Sequence, residues 1–145
     1  MPSREGAVAM VEVVIEYSGE LHTRAAHGPS RAEIETDAPT DNHGKGERFS
    51  PTDLVAAALG SCMLTVMGIL AERHGWPLTG ATAQVRKRMS EDPVRRIGGL
   101  DVELRFPAGL SEAARKPLLR AAHGCPVKQS LHPDVGVEVN AIWAS

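Results

Sequence analysis

The stretch SPTDLVAAALGSCMLTVMGILAERHG, residues 50–75, decides the fold of this 145-residue chain. Ser50 is a favoured N-cap residue, Pro51 suits the first helical position, and Asp53 follows Ser50 at the spacing of a capping box. Gly75 is a favoured residue just after a helix, so the pattern predicts one long helix. Because its charged residues stand near the two ends, we expect a buried core helix, close to the lower length limit of a membrane span.

One of the two cysteines, Cys62, lies in the middle of this helix. On a helical wheel it shares a face with Val55, Leu59, Val66 and Ile69, which predicts apolar surroundings. A free cysteine on such a face is commonly a small buried hydrophobe. The helix alone therefore leaves a structural thiol and a reactive thiol as open alternatives.

The segments around the helix predict an α+β protein. Turn residues separate the segments rich in Val, Ile and Thr. The predicted strands span residues 10–17, 20–27, 31–37, 80–89, 95–106 and 134–143, and a second helix runs from Ser111 to Ala122 with a short helical turn after Pro126. The order β-β-β-α-β-β-α-β has too few helices to cover a doubly wound sheet. We expect antiparallel sheets wrapped around a central helix, with residues 1–9 as a flexible tail and residues 10–145 as a single domain.

Composition excludes several classes of function. The formal net charge of -2 and the isoelectric point near 6.3 give no basic footprint for nucleic acid or for an anionic membrane. The basic run at residues 86–88 is interpreted as the solvated face of a strand. The first ten residues lack the apolar run of a signal peptide, so we expect a cytoplasmic protein with reduced thiols.

The second cysteine lies in HGCPVKQSL, residues 123–131. Gly124 suits the end of one helix and Pro126 the start of another, so Cys125 is predicted to cap a helix N-terminus. The positive end of the helix dipole would then lower the pKa of this thiol from about 8.5 to about 6.5. The alternative is a cysteine that merely follows a helix.

The two cysteines, 63 residues apart, allow three interpretations. A structural disulfide would stabilise the fold by about 4 kcal/mol in the chain-entropy model. The absence of an export signal favours a transient, redox-active disulfide instead. A zinc site built from Cys62, His123, Cys125 and His132 is the third, although no CxxC or HxxxH spacing supports it.

SPTDLVAAALGSCM and HGCPVKQSL, in this order within the predicted β-β-β-α-β-β-α-β pattern, resemble the two cysteine motifs of the OsmC/Ohr family of osmotically induced and organic hydroperoxide resistance proteins. The resemblance covers residues 11–142. It implies a Cys-dependent peroxidase without metal or organic cofactor, in which Cys62 attacks an organic hydroperoxide and Cys125 resolves the sulfenic acid as a disulfide. A dithiol reductant, lipoyl-linked in parts of the family, would restore both thiols.

The resemblance also implies an intertwined homodimer with two sites near its interface. Small residues on the long helix, Ala56, Ala57, Gly60 and Gly68, would let a partner helix approach closely. A non-catalytic module that binds a small apolar ligand at that interface is the alternative. A protein–protein module with inert thiols is a third reading.

The family pattern further implies an arginine that stabilises the helix thiolate, held by a glutamate ten residues before the helix cysteine. Arg24, in the predicted early hairpin, is the candidate for the cation. The alternatives for this cation are Arg31 and Arg48. The chain departs from the pattern at the carboxylate, because Thr52 stands at that position and the nearest acids are Asp53 and Glu47. We expect Asp53 either to orient Arg24 or to cap its own helix.

Overall fold

A computed structural model describes residues 10–145, so the predicted tail at residues 1–9 lies outside the described residues. The chain forms two compact units, the first ending at Pro51 and the second spanning Thr52–Ser145. The expectation of a single domain over residues 10–145 stays a prediction.

The first unit is an antiparallel meander of three strands in the order β1-β2-β3. The strands are β1, Val13–Gly19; β2, His22–His27; and β3, Glu33–Asp37. Glu20 and Leu21 form the tight β1–β2 turn with positive φ angles of 55° and 60°, so β2 begins two residues later than predicted. A short 3-10 helix at Thr40–Asn42 lies within the predicted loop that follows.

The long helix, α1, spans Pro51–His74. The prediction of one helix that starts after Ser50 and ends before Gly75 is therefore confirmed. The elements that follow are β4, Thr82–Ser90; β5, Arg96–Phe106; α2, Glu112–His123; α3, Pro126–Ser130; and β6, Gly136–Trp143. The predicted α+β order is therefore confirmed, with α3 as the short helical turn expected after Pro126.

The second sheet has the strand order β4-β5-β6 and is mixed. β4 pairs antiparallel to β5, but β6 pairs parallel to β5, with Leu104 beside Ala141. The expectation of antiparallel sheets is wrong for this last pair. The connection from β5 to β6 carries α2 and α3, which is long enough for the crossover that parallel pairing requires.

The core of the second unit lies between α1, β5 and α2. Its fully buried side chains include Leu59, Met63 and Met67 of α1, Leu100 and Leu104 of β5, and Leu118 of α2. The predicted helix face is corrected, because Ile69 is half exposed while Met63 is buried. The apolar residues of α1 surround it almost evenly, so periodicity could not identify the buried face.

Gly60 is the point where α1 approaches β4. A Cβ atom built there would stand 3.1 Å from Val85 Cγ2 and 3.4 Å from Ala83 Cβ. Among residues 10–145, α1 is the helix whose length and composition would suffice to cross a membrane, and 33% of its most apolar window is buried within the chain. The expectation of a buried helix is therefore met on one side of α1 only.

Candidate redox site

The corner between α2 and α3 holds Cys125 in place. The N–H of Gly124 donates to the carbonyl of Arg120 at 3.0 Å, and the N–H of Cys125 donates to the carbonyl of Ala122 at 3.2 Å. Cys125 is the N-cap residue of α3, and its Sγ accepts the backbone N–H of Lys128 at 3.4 Å. The predicted capping position of Cys125 is confirmed.

The ionisation expected for Cys125 is not confirmed. Burial raises the pKa of the Cys125 thiol, and the neighbouring Cys62 raises it further, while the Lys128 N–H acts in the opposite direction. Cys125 is fully buried, and α3 has only five residues, so desolvation outweighs the field of the helix end. This cysteine is therefore a protonated, shielded thiol rather than a helix-activated thiolate.

Cys62 and Cys125 are free thiols that lie close enough for Cys62 to raise the pKa of Cys125. Cys62 is half-buried, whereas Cys125 is fully buried. The fold thus brings together two residues that lie 63 positions apart in sequence, and it gives only one of them access from outside. This arrangement suits a pair in which one sulfur reacts with a substrate and the other forms a disulfide with it.

The described part of the chain contains no group of three or more His, Cys, Asp or Glu side chains arranged to hold a metal ion. His132, one of the ligands considered for zinc, accepts the backbone N–H of Asp134 at Nδ1. The geometry of residues 10–145 therefore does not support a zinc site.

Asp53 lies in an ion pair with Lys87 of β4, whose Nζ is 2.8 Å from Asp53 Oδ1. The same ammonium donates to Thr52 Oγ1 at 2.8 Å. Both residues that stand near the family's glutamate position are thus bound to one lysine. The prediction of a solvated face for residues 86–88 is wrong for Lys87, whose side chain is only 15% exposed.

Arg24 lies in the first unit, in a charged cluster formed by His22, Arg24, Glu35, Asp37 and Arg48. Glu35 Oε1 is 3.7 Å from a terminal guanidinium nitrogen of Arg24, and Glu35 Oε2 is 3.4 Å from Arg48 Nε. Arg48 also lies 3.8 Å from Asp37 Oδ2. The other candidates are exposed: Arg31 in the β2–β3 turn, with a φ of 64°, and Glu47 before α1.

His22 joins the carboxylates of the cluster. Its Nδ1 is 2.7 Å from Asp37 Oδ1, and its Nε2 is 3.0 Å from Glu35 Oε1. The hydrogen bond with Asp37, followed by the one with Glu35, raises the pKa of His22. In turn, the His22 hydrogen bond and the charge of Arg48 lower the pKa of Glu35.

Sequence reasoning missed Lys87, His22, Glu35 and Asp37 as members of polar sites. A signal existed for each. Lys87 shares its strand face with Val85 and Ala83, because side chains two apart point the same way. The cross-strand neighbours His22–Asp37 and Arg24–Glu35 would have followed from the register of β2 and β3.

Residues 44–140 match the family described as OsmC-like protein. The crystal structure of a proposed osmotic stress induced and detoxification response protein from Psychrobacter arcticus is 43% identical, with a TM-score of 0.87 over 93% of this chain and 98% of that one. An organic hydroperoxide resistance protein OsmC from Legionella pneumophila is 18% identical, with a TM-score of 0.70 over 92% of this chain and 98% of that one. The organic hydroperoxide resistance protein OhrB of Bacillus subtilis is also 18% identical, with a TM-score of 0.67 over the same shares. Comparison with curated proteins gave no match.

The two neighbours at 18% identity share the fold, while the family match covers more than half of the chain and contains both cysteines. With the order of elements and the paired thiols described above, the chain belongs to the OsmC-like protein family, within the OsmC/Ohr group.

Proposed function

We propose that this protein is a thiol-dependent peroxidase that reduces organic hydroperoxides, with Cys62 as the peroxidatic cysteine and Cys125 as the resolving cysteine. The observation that carries the proposal is the proximity of a half-buried and a fully buried free thiol. Membership of the OsmC/Ohr group indicates a function related to peroxide stress.

The reaction is a sequence of two displacements. The Cys62 thiolate attacks the terminal oxygen of the hydroperoxide, the O–O bond breaks, and the leaving alkoxide takes a proton to become an alcohol. Cys125 then attacks the Cys62 sulfenic acid, so that a disulfide forms and water leaves. A dithiol reductant, such as a dihydrolipoyl group, then supplies two electrons and returns both cysteines to thiols.

The protonation of Cys125 supports this division of roles. Because burial and the neighbouring sulfur raise the pKa of Cys125, its proton stays in place while Cys62 reacts. Cys62 is partly exposed while Cys125 is fully buried, so a peroxide is expected to reach Cys62 first. Leu59 and Val66 lie three and four residues from Cys62 on the same helix, and such apolar neighbours suit the hydrocarbon part of an organic hydroperoxide.

The remaining parts of the proposal come from the family. Arg24 is proposed to stabilise the Cys62 thiolate, and a cytoplasmic location is proposed because a cysteine pair that cycles with a dithiol reductant needs a reducing compartment. A homodimer is proposed because α1 leaves apolar surface uncovered within the chain: Ile69 is 50% exposed, and a Cβ at Gly68 would meet nothing within 4 Å. An Ile69→Arg variant should shift the mass measured by light scattering from dimer to monomer.

The test of function compares three proteins during exposure to cumene hydroperoxide, with dihydrolipoamide as reductant. The parent should lose both free thiols and form one Cys62–Cys125 bond. Cys62→Ser should consume no peroxide, and Cys125→Ser should accumulate a sulfenic acid that dimedone traps. Peroxide consumption by Cys62→Ser at the parental rate would refute the assignment of the nucleophile. Thiols that survive excess peroxide would favour a non-catalytic apolar-ligand module.

A further inference from the structure

His22 is held between two carboxylates in a way that requires both of its ring protons. Ionised carboxylates only accept hydrogen bonds, and the two ring nitrogens lie 2.7 Å from Asp37 Oδ1 and 3.0 Å from Glu35 Oε1. Both nitrogens must therefore donate, which makes the observed arrangement that of an imidazolium. Its higher pKa, caused by the same two hydrogen bonds, agrees with this geometry.

The oxygen that His22 binds is also the one that faces Arg24. Glu35 Oε1 accepts from His22 Nε2 at 3.0 Å and lies 3.7 Å from the Arg24 guanidinium, which is beyond hydrogen-bond distance. The second oxygen of Glu35 faces Arg48 Nε at 3.4 Å. While His22 is protonated, it competes with Arg24 for Glu35.

Loss of one proton from His22 would change this competition. The bond to Asp37 is the shorter one, so Nδ1 keeps its proton and Nε2 releases its proton to solvent. Nε2 would then direct a lone pair at Glu35 Oε1, and the repulsion would turn the carboxylate toward Arg24. We propose that Glu35 is the positioning carboxylate for Arg24 and that the protonation of His22 decides how tightly Glu35 holds it.

This inference rests on the proposed function where it assumes that Arg24 serves Cys62. It differs from the family pattern because the carboxylate comes from β3 and not from the start of α1. Thr52, which stands at the family's glutamate position, accepts a hydrogen bond from Lys87 instead.

Other charged groups also surround His22. They are Glu20 from the β1–β2 turn, Glu16 opposite Arg24 on β1, and Lys45, Glu47 and Arg48 from the segment before α1. All are carboxylates, lysines or arginines. Within the charged cluster, His22 is therefore the group whose side-chain type titrates near neutral pH.

The test uses two substitutions that fix each state of His22. His22→Gln places an amide donor near the position of Nε2 and cannot titrate, so it should hold Glu35 as the imidazolium does. His22→Asn keeps a donor near Asp37 but does not reach Glu35, so it should resemble the neutral form. The matched control is His27→Gln, on the same strand, because the side chain of His27 bonds the Ser30 hydroxyl.

The first measurement follows the ring of His22 and the Nε–H of Arg24 by NMR as pH is raised, and it needs no enzyme activity. The Arg24 Nε–H should exchange more slowly with solvent as His22 loses its proton. Glu35→Gln should lower the pKa of His22 and remove the Arg24 response. An Arg24 signal that ignores the His22 titration, or a His22 titration unchanged by Glu35→Gln, would overturn the proposal.

The second measurement compares peroxide consumption between pH 6 and pH 9. The parental rate should match that of His22→Gln at the acidic end and that of His22→Asn at the alkaline end, with an increase of about fivefold or more between the two states, the lower end of ordinary coupling between sites. His27→Gln should follow the parent throughout. A parental pH profile retained by His22→Gln would overturn the link to catalysis. If no variant, nor the parent, consumes peroxide, the proposed function fails while the NMR result still decides the coupling.

Discussion

The ion pair between Lys87 and Asp53 supports an asymmetric prediction about stability. Asp53→Ala removes the carboxylate but leaves an ammonium that is only 15% exposed beside the positive N-terminus of α1. Lys87→Met removes the buried charge and keeps the apolar stem, while Asp53 stays 43% exposed at a helix end that favours negative charge. We expect Asp53→Ala to be clearly the more destabilising of the two.

The magnitude follows from the geometry of the pair. Opposite unit charges 2.8 Å apart attract by about 6 kcal/mol at an effective dielectric constant of about 20, and by about 1.5 kcal/mol in bulk water. Desolvation of Lys87 offsets much of this. Losing one partner costs about 3–5 kcal/mol in buried pairs and less than about 1 kcal/mol in exposed pairs. For this half-buried pair we expect about 2 kcal/mol for Asp53→Ala and less than about 1 kcal/mol for Lys87→Met.

The assay is urea unfolding at a fixed protein concentration, because association would change the apparent stability. In thermal unfolding of a chain of this length, the same loss of about 2 kcal/mol would lower the Tm by about 6 °C. The matched control is Asp101→Ala, because Asp101 has a similar exposure of 37% but its partner Arg88 is 56% exposed. Asp101→Ala should cost less than Asp53→Ala. A Lys87→Met variant that loses as much stability as Asp53→Ala would refute the reasoning.

Two further predictions concern the thiols and the charged cluster. Iodoacetamide should label Cys62 well before Cys125 in the reduced native protein, because burial shields Cys125 and raises its pKa. Mass spectrometry of partly labelled protein would measure the two rates. Equal rates would contradict the assignment of Cys62 as the accessible thiol and Cys125 as the shielded one. The pKa of His22 is raised on folding, so its contribution to stability is complete below its ordinary pKa of about 6.5 and is lost as pH rises through the folded value. Glu35, whose pKa is lowered, contributes above its ordinary value of about 4.5 and loses that contribution as pH falls through the folded value. The cluster should therefore contribute most to the stability of the fold between about pH 4.5 and 6.5. In urea unfolding, His22→Gln should lose less stability than the parent as pH rises above this range. An identical dependence of stability on pH in the two proteins would contradict this.

Sequence predicted the elements well where local chemistry decides them. Ser50, Pro51 and Gly75 set the bounds of α1, and Gly124 with Pro126 set the corner at which Cys125 caps α3. Each signal acts within a few residues, so it can be read without a fold. The pairing of Cys62 with Cys125 came from the family resemblance and not from periodicity.

The features that sequence could not give depend on contacts between distant segments. The parallel pairing of β6 with β5 depends on how α2 and α3 cross, and no local pattern specifies it. The pKa of Cys125 depends on burial, which overrides the field of a short helix. Glu35 could be linked to His22 and Arg24 only once the register of β2 and β3 was known.

The inward lysine of β4 has a consequence for how the chain finds its fold. Arg86 and Arg88 point outward while Lys87 points inward to Asp53. A shift of one residue in the pairing of β4 with β5 would turn Val85 to solvent and bring both Arg86 and Arg88 to the inner face, where Asp53 could pair with only one of them. A single inward cation between apolar inward positions therefore favours the observed alignment, because Asp53 can neutralise one buried cation and not two.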